Sequence, residues 1–524
     1  MSNQASRFIT RRRALHAGAA MSGLVAAPVV ASRLNGAEPA HAAPAPAAGH
    51  GGHNGHSGHD MAGMEGMPGM TDPGPAHPAV AAAAAAKFTR ELPLLKTRQP
   101  TARTNGTDVY ATRIVDGTAD ILPGVKSRVR TYDGDFAGSI IRAERGRRVV
   151  MVHQNKTPDP SQVHLHGGVT PQRWDGGLMD NIEPGGFREY VYANDQPGAT
   201  LWLHDHVHHA HAANVFRGVA RPYLLHDPAE DAFNLPSGEF DQTLVLRDAR
   251  FDANGDLAYL MDDAEGRSTI LVNGVPWPVM RVTARKYRFR FVNAANLRFF
   301  VMALSSGTPF TQIGGDGGLL PAPWQAPVVA ISPGERAEVV VDFSAFPKGT
   351  RLTLDNYIGP GPEADVGKVM AFEVGDPAPD TSSVPASLVP LPALAAPTVK
   401  RRFELAMGEP GSGDMTATIN GQVFDHDRID TTVRWGTTEE WTVVNTNATL
   451  PHNFHTHLAP FKVVSRNGEA PMPDESGLKD TVQVFPAQEV VLRITFDSHK
   501  GVFPYHCHML DHSDMGMMAQ LKVV

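Results

Sequence analysis

The sequence predicts an all-β protein made of three consecutive β-sandwich domains. Short runs of apolar or alternating residues, each of strand length, recur from about residue 88 and are broken by Gly, Pro and Asp. Such runs at short spacing are typical of β-sandwiches. Histidine marks the outer domains, because the chain has none between His226 and His426. We therefore expect any metal site to lie between the first and third domains.

The domain boundaries follow from the same pattern of short, strand-length runs. We place the first domain at residues 88–240, the second at 241–378 and the third at 401–524, with a proline-rich linker over 379–400. The total length agrees with a prior of three or four domains. Runs that predict strands include Arg148–Gln154, Thr200–His204, Lys286–Asn293, Glu338–Phe343, Glu440–Asn445 and Val490–Phe496.

Residues 1–42 are interpreted as an export signal. Arg11, Arg12 and Arg13 precede a mildly apolar stretch that Gly, Ser and Pro interrupt, and Ala40-His41-Ala42 has the small-x-small form of a cleavage site. This pattern resembles a twin-arginine signal. A membrane anchor is the alternative, but the segment has no run of about 18 uninterrupted apolar residues. We expect a periplasmic or extracellular protein whose mature form does not span a membrane.

Residues 43–87 form a low-complexity segment rich in Gly, Ala and Pro. Such a composition predicts disorder. Imidazole and thioether groups suit copper, with thioether favouring the cuprous ion, and the alternative is a solvated linker. The histidines and methionines recur at three-residue spacing: His50, His53, His56 and His59, then Met61, Met64, Met67 and Met70.

The overall charge argues against nucleic acid as a partner. The formal net charge is −8, which gives no support to binding of nucleic acid. The single cysteine excludes an intramolecular disulfide, and a chain this long can bury enough apolar surface without one. We expect a monomer.

The strongest chemical signal surrounds that cysteine, Cys507. Residues 502–505 are aromatic and β-branched and predict a strand that runs into it. Side chains alternate along a strand, so His506 and His508 face one way and Cys507 the other. We infer that Cys507 connects two metal sites, one on each face.

The thiolate side of this strand carries the ligands of a blue copper. His512 and Met517 follow Cys507 in a glycine-containing loop that can fold back towards the sulfur. Thiolate, two imidazoles and a distant thioether hold such a copper. His452 can supply the second imidazole. The alternative is an inert buried cysteine, which the surrounding histidines disfavour.

Four His-x-His pairs supply eight further imidazoles. Residues two apart on a strand share a face, so both histidines of a pair can point to one metal cluster. A single pair is weak support for a site, but four pairs split evenly between the outer domains predict a copper cluster at their interface. The pairs are His164 with His166, His204 with His206, His455 with His457, and His506 with His508.

Together these motifs resemble those of the multicopper oxidases, and the resemblance covers the chain from about Phe88. The most similar group is the spore-coat laccases and bilirubin oxidases. The resemblance implies three cupredoxin-like Greek-key domains, the second without copper ligands. Other matching segments are His164–Pro171, Asn214–Gly218, Leu271–Pro278, Arg285–Arg290 and Gly314–Leu320.

The resemblance also implies four copper ions. Electrons enter singly at a type-1 copper and cross Cys507 to a three-copper cluster, where dioxygen becomes water. The implied ligands are His452, Cys507, His512 and axial Met517 for type 1; His164 and His455 for type 2; and His166, His204 and His508, with His206, His457 and His506, for the type-3 pair.

Protons must also reach the cluster. The resemblance assigns this role to Asp175, and the alternative is an ordinary turn residue. Many relatives carry a glutamate directly after the histidine that corresponds to His512, where this chain has Ser513 and then Asp514. Either Asp514 substitutes or protons follow another route.

Three histidines have no role in the resemblance. They are His208, His209 and His211, directly after the second His-x-His pair. We expect them in a solvated loop with incidental affinity for metals.

The sequence thus predicts an oxidase that takes single electrons from phenols or aromatic amines and reduces dioxygen to water. A cuprous oxidase is the alternative, favoured by the His/Met segment; against it, residues 379–400 contain no methionine and residues 447–451 no acid or thioether. An exported copper-sequestering or structural protein is the non-enzymatic alternative, and the complete ligand set argues against it. The physiological donor and the redox potential do not follow from the sequence.

Overall fold

The computed structural model describes residues 68–177, 180–391, 393–409, 412 and 414–524. Strands dominate this part of the chain and the helices are short, which confirms the all-β fold class. None of the described helices is long and apolar enough to cross a membrane. The predicted export signal, the four spaced histidines and most of the spaced methionines lie outside the described residues.

The chain takes up regular structure earlier than the sequence predicts. Helix α1 (Pro78–Ala85) begins at a proline, and the ring of His77 accepts a hydrogen bond from Ala79 N–H at 3.1 Å. Disorder up to residue 87 is therefore a wrong prediction for residues 68–87. Alanine is a strong helix former, and this helix has an apolar surface to cover. Its residues that pack on the core of the second domain are Ala79, Val80, Ala83 and Ala84.

The first domain has two sheets, with strand orders β1-β2-β5-β7 (β3 beside β2) and β4-β9-β8-β6. Its strands are β1 (Ala102–Thr104), β2 (Thr107–Ala119), β3 (Ser127–Tyr132), β4 (Ile141–Glu144), β5 (Arg148–Asn155), β6 (His164–His166), β7 (Phe187–Tyr192), β8 (Ala199–His204) and β9 (Ala220–His226). Its helices are α2 (Gln172–Asp175) and α3 (His211–Arg217), with 3-10 turns at Pro228–Phe233 and Gly238–Phe240.

The second domain has the strand orders β12-β11-β10-β14-β19-β16-β17 and β13-β21-β20-β15-β18. Its strands are β10 (Asp241–Ala249), β11 (Thr269–Val272), β12 (Val275–Pro276), β13 (Val279–Ala284), β14 (Lys286–Asn293), β15 (Phe300–Leu304), β16 (Phe310–Gly315), β17 (Gly318–Ala326), β18 (Val329–Ile331), β19 (Arg336–Asp342), β20 (Arg351–Asn356) and β21 (Lys368–Pro377). A 3-10 turn lies at Phe343–Ala345 and helix α4 at Glu363–Val366.

The third domain has the strand orders β23-β22-β25-β29-β27 and β24-β31-β30-β26-β28. Its strands are β22 (Val399–Met407), β23 (Ala417–Ile419), β24 (Thr431–Val433), β25 (Thr437–Asn445), β26 (His452–Thr456), β27 (Phe461–Arg466), β28 (Thr481–Val484), β29 (Glu489–Phe496), β30 (Gly501–His506) and β31 (Met518–Val523). A 3-10 turn lies at Pro473–Glu475 and helix α5 at Leu510–Asp514.

One topology recurs in the three domains. Each has a parallel pair in one sheet (β2 with β5, β10 with β14, β22 with β25) and another in the facing sheet (β4 with β9, β13 with β21, β24 with β31). The antiparallel pairs β6–β8, β15–β20 and β26–β30 therefore occupy equivalent places. Histidines stand on the first and third of these pairs, whereas β15 and β20 have none.

Strand burial distinguishes structural strands from those at the site. Strands β5 and β29 alternate between buried and more exposed residues, as expected for a sheet with one face in the core. Strands β6, β8 and β26 are buried along their whole length. Helix α3 joins the outer domains, because Val215 and Phe216 pack in the same core as Trp441 and Phe454.

A charged residue on the buried side of helix α1 tests whether this helix belongs to the folded body. Ala83 is 6% exposed, whereas Ala82 on the same helix is exposed. Replacing Ala83 with Glu buries a carboxylate without a partner, and we expect a loss of about 2–4 kcal/mol in the free energy of unfolding. Denaturant unfolding of A83E measures it, with A82E as the control. Equal midpoints for the two variants would mean that the helix does not need the core contact.

Candidate metal centres

Two equivalent strand pairs bring eight histidines into one buried space. In the first domain His164 on β6 lies opposite His204 on β8, and in the third His455 on β26 lies opposite His506 on β30. Rings from the two domains are in contact across the interface; those of His166 and His455 stack with centroids 4.0 Å apart. The eight buried side chains are His164, His166, His204, His206, His455, His457, His506 and His508.

The imidazole nitrogens form mixed sets from both domains. Within each set, one ligand atom of every member lies within 4.8 Å of the others. Neither domain completes a set alone, so the site exists only when the two domains pack together. The sets are His166 with His204 and His508; His206 with His457 and His506; and His164 with His166 and His455.

Backbone carbonyls fix the tautomer of four of these rings. A carbonyl oxygen only accepts hydrogen bonds, so the Nδ1 atom beside it carries the proton and Nε2 presents its lone pair. All four lone pairs are then available to a metal. The Nδ1-to-oxygen distances are 2.6 Å from His164 to Asp175, 2.8 Å from His204 to Asp205, 2.8 Å from His455 to Asp480 and 3.0 Å from His506 to Cys507.

Several inner nitrogens of the cluster are buried without a hydrogen-bond partner. Leaving such an atom unsatisfied costs about 1–3 kcal/mol, so native proteins rarely do so without a functional reason. A bound cation would satisfy them together. These atoms are His164 Nε2, His455 Nε2 and His457 Nε2.

The rings are held in the neutral form that binds metals. Burial lowers the pKa of His455 to about 4 and that of His204 to about 3. Burial, reinforced by neighbouring imidazoles, lowers the pKa of the other six histidines as well. A protonated imidazole cannot coordinate, so these shifts favour metal binding at neutral pH.

A second, smaller set surrounds the cysteine. Nδ1 of His452 and Nδ1 of His512 each lie 3.8 Å from Cys507 Sγ and 3.1 Å from one another. All three residues are buried. Asn447 Oδ1 lies 2.9 Å from His452 Nε2 and accepts a hydrogen bond from it. The proton therefore stays on Nε2, and the lone pair of Nδ1 is free for a metal.

Met517 lies beside this set through its backbone. Its carbonyl accepts from Cys507 N–H at 3.1 Å, its N–H donates to His512 O at 3.0 Å, and its side chain is buried. Asn453 is a residue that the sequence does not identify. Its Oδ1 lies 3.5 Å from the cysteine sulfur and accepts from His508 N–H at 2.7 Å, so it contacts the sulfur and the backbone of a cluster histidine together.

Cys507 stands between the two sets, as predicted, although strand β30 ends at His506 and Cys507 and His508 lie just beyond it. Its sulfur faces the two-histidine set, while its neighbours face the cluster. His506 Nε2 is 3.4 Å from His206 Nε2, and His508 Nε2 is 3.5 Å from His204 Nε2. The two sets are therefore linked by one residue through covalent bonds.

Asp175 lies against the cluster. Its side chain is 1% exposed and its Oδ2 is 2.7 Å from His457 Nδ1. Burial raises the pKa of this carboxyl well above its usual value. The next residue, Gly176, ends helix α2 with a φ of 80°, and a Cβ there would overlap the Val163 carbonyl. Only glycine fits this turn, which holds the carboxylate in place.

His211 corrects one prediction, because it is fully buried and does not lie in a solvated loop. Its ring stacks on His206 with centroids 5.4 Å apart. His211 Nδ1 lies 2.8 Å from Asp514 Oδ1, and Nε2 lies 2.6 Å from Ser513 Oγ. Burial lowers the pKa of His211, but the Asp514 carboxylate outweighs burial and raises the pKa above its ordinary value. The sequence gives no local signal for this contact.

The second domain supports the cysteine site without supplying a ligand. Arg267 and Asp511 are both fully buried and form two hydrogen bonds, of 2.9 and 3.0 Å. Tyr259 Oη donates to the same carboxylate at 2.6 Å. Asp511 directly precedes His512 in helix α5. The pair therefore fixes to the second domain the helix that carries this ligand.

The second domain also contacts the histidine cluster and supports it. Arg336 donates to Asp480 Oδ1 at 2.7 Å, and this oxygen lies 2.9 Å from His166 Nε2. Both charged groups are buried. Gly334 has a φ of 86°, and a Cβ there would lie 2.8 Å from His508 Nδ1. A larger residue would intrude on the cluster.

The donor chemistry of both sets fits copper. A thiolate with two imidazoles is a combination that selects copper in electron-transfer sites. Sets made of imidazole alone also suit copper, among other first-row metals. In the eight-histidine cluster, the unsatisfied inner nitrogens and the neutral rings also suit a bound metal.

The Arg267–Asp511 pair should be necessary for the stability of the cysteine site. In R267M the Asp511 carboxylate stays buried without its charge partner, and we expect a loss of about 3–5 kcal/mol in the free energy of unfolding of the metal-free protein. In R267M/D511L both charges are gone, and stability should return in part. Denaturant unfolding compares the three proteins. A double variant no more stable than R267M would show that the loss comes from packing.

Comparisons with known proteins agree with this geometry. Two family models described as multicopper oxidase match residues 113–230 and 395–524. The bilirubin oxidase of Albifimbria verrucaria is 39% identical over 464 residues, which cover 82% of this chain and 80% of that protein. The laccase of Bacillus subtilis is 32% identical over 511 residues, with 83% and 98% covered. A laccase structure from Pediococcus acidilactici, 32% identical, superposes with a TM-score of 0.77 over 87% of this chain and 96% of that chain. The chain belongs to the multicopper oxidases.

Proposed function

We propose that this protein is a laccase-like oxidase that takes single electrons from phenols or aromatic amines and reduces dioxygen to water. Bound copper supplies the redox chemistry, one electron at a time at the cysteine site and four electrons per dioxygen at the cluster. The observation that carries the proposal is the position of Cys507, whose sulfur faces one ligand set while its two neighbours face the other.

The ligand sets support an assignment of four coppers. We assign the cysteine set to type 1, with Met517 as the axial ligand because its backbone bonds hold it beside Cys507 and His512. The other assignments place type 2 at His164 and His455, one type-3 copper at His166, His204 and His508, and the other at His206, His457 and His506.

A donor can approach the type-1 site at the outer edge of His512. His512 Nδ1 faces the sulfur, and its Nε2 lies 3.6 Å from Asp262 Oδ1. The Asp262 side chain is 40% exposed, so it is open to solvent while it touches a ligand. A phenol or an aromatic amine can donate a hydrogen bond to this carboxylate. Asp262 thereby supports a donor class with O–H or N–H groups.

Two acidic residues support proton supply to the cluster. Asp175 reaches the outer nitrogen of His457 and supports the predicted delivery role. Asp514 lies two residues after His512 and reaches the cluster side through His211, which stacks on His206. We infer that Asp514 takes the place of the glutamate absent at Ser513.

The remaining parts of the proposal rest on the sequence. Export by the twin-arginine route and work in the periplasm or outside the cell are supported by the pattern of residues 1–42. Copper handling by the His/Met segment is supported by its thioethers and imidazoles. A monomeric state is part of the same proposal.

Removal of the thiolate tests the type-1 assignment. The copper-loaded protein should be intensely blue, because thiolate-to-copper charge transfer colours such sites. C507S should lose the blue colour and its turnover with a phenol, yet keep copper at the histidine cluster, whose ligands it does not touch. Absorption, copper content and oxygen consumption measure these effects. A wild-type protein that stays colourless when fully loaded would contradict the assignment.

Replacement of the Asp175 carboxyl group with an amide tests proton delivery. D175N should keep its four coppers and blue colour but turn over about 10²- to 10⁴-fold more slowly, because an amide cannot transfer the proton. D175E should recover part of the rate. Steady-state oxygen consumption across the pH range, with copper content as the control, makes the comparison. Unchanged turnover at every pH would leave Asp175 a purely structural residue.

A further inference from the structure

The backbone of Asp262, whose exposed carboxylate lies beside His512, has an uncommon conformation. Its φ is 55°, in the left-handed region that residues other than glycine rarely adopt. Such a conformation persists where the surrounding contacts fix it. One of these contacts comes from the cysteine site, because Asp262 N–H donates to Asp511 Oδ1 at 3.3 Å. The residues on either side of Asp262 provide the others.

One neighbour of Asp262 is bound to an N-terminal arm, which we define as residues 68–77, directly before helix α1. Met261 N–H donates to the Gly69 carbonyl at 3.0 Å. The approach is close, because a Cβ at Gly69 would lie 2.5 Å from the Tyr259 ring and 2.9 Å from Met261 N. The φ of Gly69 is 85°, so the backbone also favours glycine here.

The other neighbour, Asp263, is bound to the same arm through Arg250. The Arg250 guanidinium donates to Asp263 Oδ2 at 2.6 Å and to Asp72 Oδ1 at 2.8 Å. Asp72 Oδ1 also accepts from Gly74 N–H at 2.9 Å, which fixes the turn of the arm. The arm therefore holds the chain on both sides of Asp262.

The far end of the arm is anchored on the second domain. His77 N–H donates to the Asp252 carbonyl at 2.9 Å, and helix α1 then packs on the core of that domain. The loop of residues 250–263 thus contacts the arm near its beginning, its middle and its end. The position of Asp262 depends on the arm as well as on the second domain.

We propose that the N-terminal arm sets the preference of the cysteine site for donors with O–H or N–H groups, with Gly69 and Asp72 as positioning residues that act through Asp262. The inference rests on the proposed oxidase function, in which the Asp262 carboxylate accepts a hydrogen bond from the donor. A carboxylate displaced by about 1 Å from its place beside His512 loses that geometry. Donors without such groups make no bond to Asp262 and are insensitive to the arm.

Alanine at two glycines of the arm separates the contact with the loop from backbone strain. G69A places a methyl group against Tyr259, whose hydroxyl is bound to Asp511, so we expect the arm to move away from Met261. G74A is the matched control. Gly74 also has a positive φ, of 75°, but its Cβ would meet nothing within 4 Å.

A second variant, D72A, tests the connection on the other side of Asp262. It removes the carboxylate that holds Arg250 to the arm and leaves the bond from Arg250 to the loop. D120A is the matched control for the loss of an exposed carboxylate. Asp120 is about as exposed as Asp72, and it forms an ion pair with Lys126 that does not touch the arm.

Hydrogen exchange of the loop tests these contacts without turnover. In the copper-loaded, full-length protein, the amides of Met261 and Asp262 should exchange at least about tenfold faster in G69A than in wild type. D72A should accelerate the same amides, whereas G74A and D120A should stay within about twofold. Wild-type exchange rates in both G69A and D72A would overturn the proposal.

Oxygen consumption with two donors tests the preference. Hydroquinone carries O–H groups, whereas ferrocyanide has neither O–H nor N–H. In G69A and D72A the KM for hydroquinone should rise about three- to tenfold, while kcat, the KM for ferrocyanide and the blue absorption change less than about twofold. An equal rise in KM for both donors would mean general damage to the cysteine site and would overturn the proposal.

A double-mutant cycle shows whether the arm acts through Asp262. D262N replaces the charged acceptor and should itself raise the KM for hydroquinone. The KM of G69A/D262N should then match that of D262N within about twofold, because no carboxylate is left to position. A further rise as large as the one that G69A causes alone would exclude the positioning role.

Failure of the proposed function would look different. A fully loaded wild-type protein that consumes no oxygen with either hydroquinone or ferrocyanide would contradict the oxidase. Hydrogen exchange would still decide whether the arm holds Asp262, because it needs no turnover.

Discussion

Neutral imidazole nitrogens facing one another in a buried interior are the constraint on which this structure depends. Their lone pairs are unsatisfied without a cation. The protein holds them in place from outside, with carbonyl oxygens at Nδ1 of rings such as His164 and His455. The interdomain packing, the full burial of β6 and β26 and the close glycine at residue 334 all serve to hold these rings close together.

The second domain takes part in this arrangement through charge. Arg336 neutralises Asp480 beside the cluster, and Arg267 neutralises Asp511 beside the cysteine site. Each pair is buried, and breaking such a pair is far more costly than breaking a surface pair. A domain with no ligand on its β15–β20 pair thus acts as a rigid support for two sites in its neighbours.

The sequence predicts much of this because the informative patterns are local. Alternation gives the strands, and the His-x-His pattern marks the ligands. Only His164 and His166 lie together within one strand, whereas the second histidine of each other pair lies just beyond a strand end. The contacts that escape prediction join distant parts of the chain, as Asp511 joins Arg267 and His211 joins Asp514. No short-range pattern marks such partners. Helix α1 is missed for another reason, since the composition of residues 78–85 is that of a linker and only the apolar surface it meets makes it fold.

The division of the ligands between the outer domains has a consequence for biosynthesis. Residues 164 to 206 are synthesised before residues 452 to 508, so the ligands of the first domain exist for a time without their partners. A half set offers a metal too few donors for tight retention. Stable metal capture therefore belongs to the finished polypeptide, and a chain terminated early would release its copper.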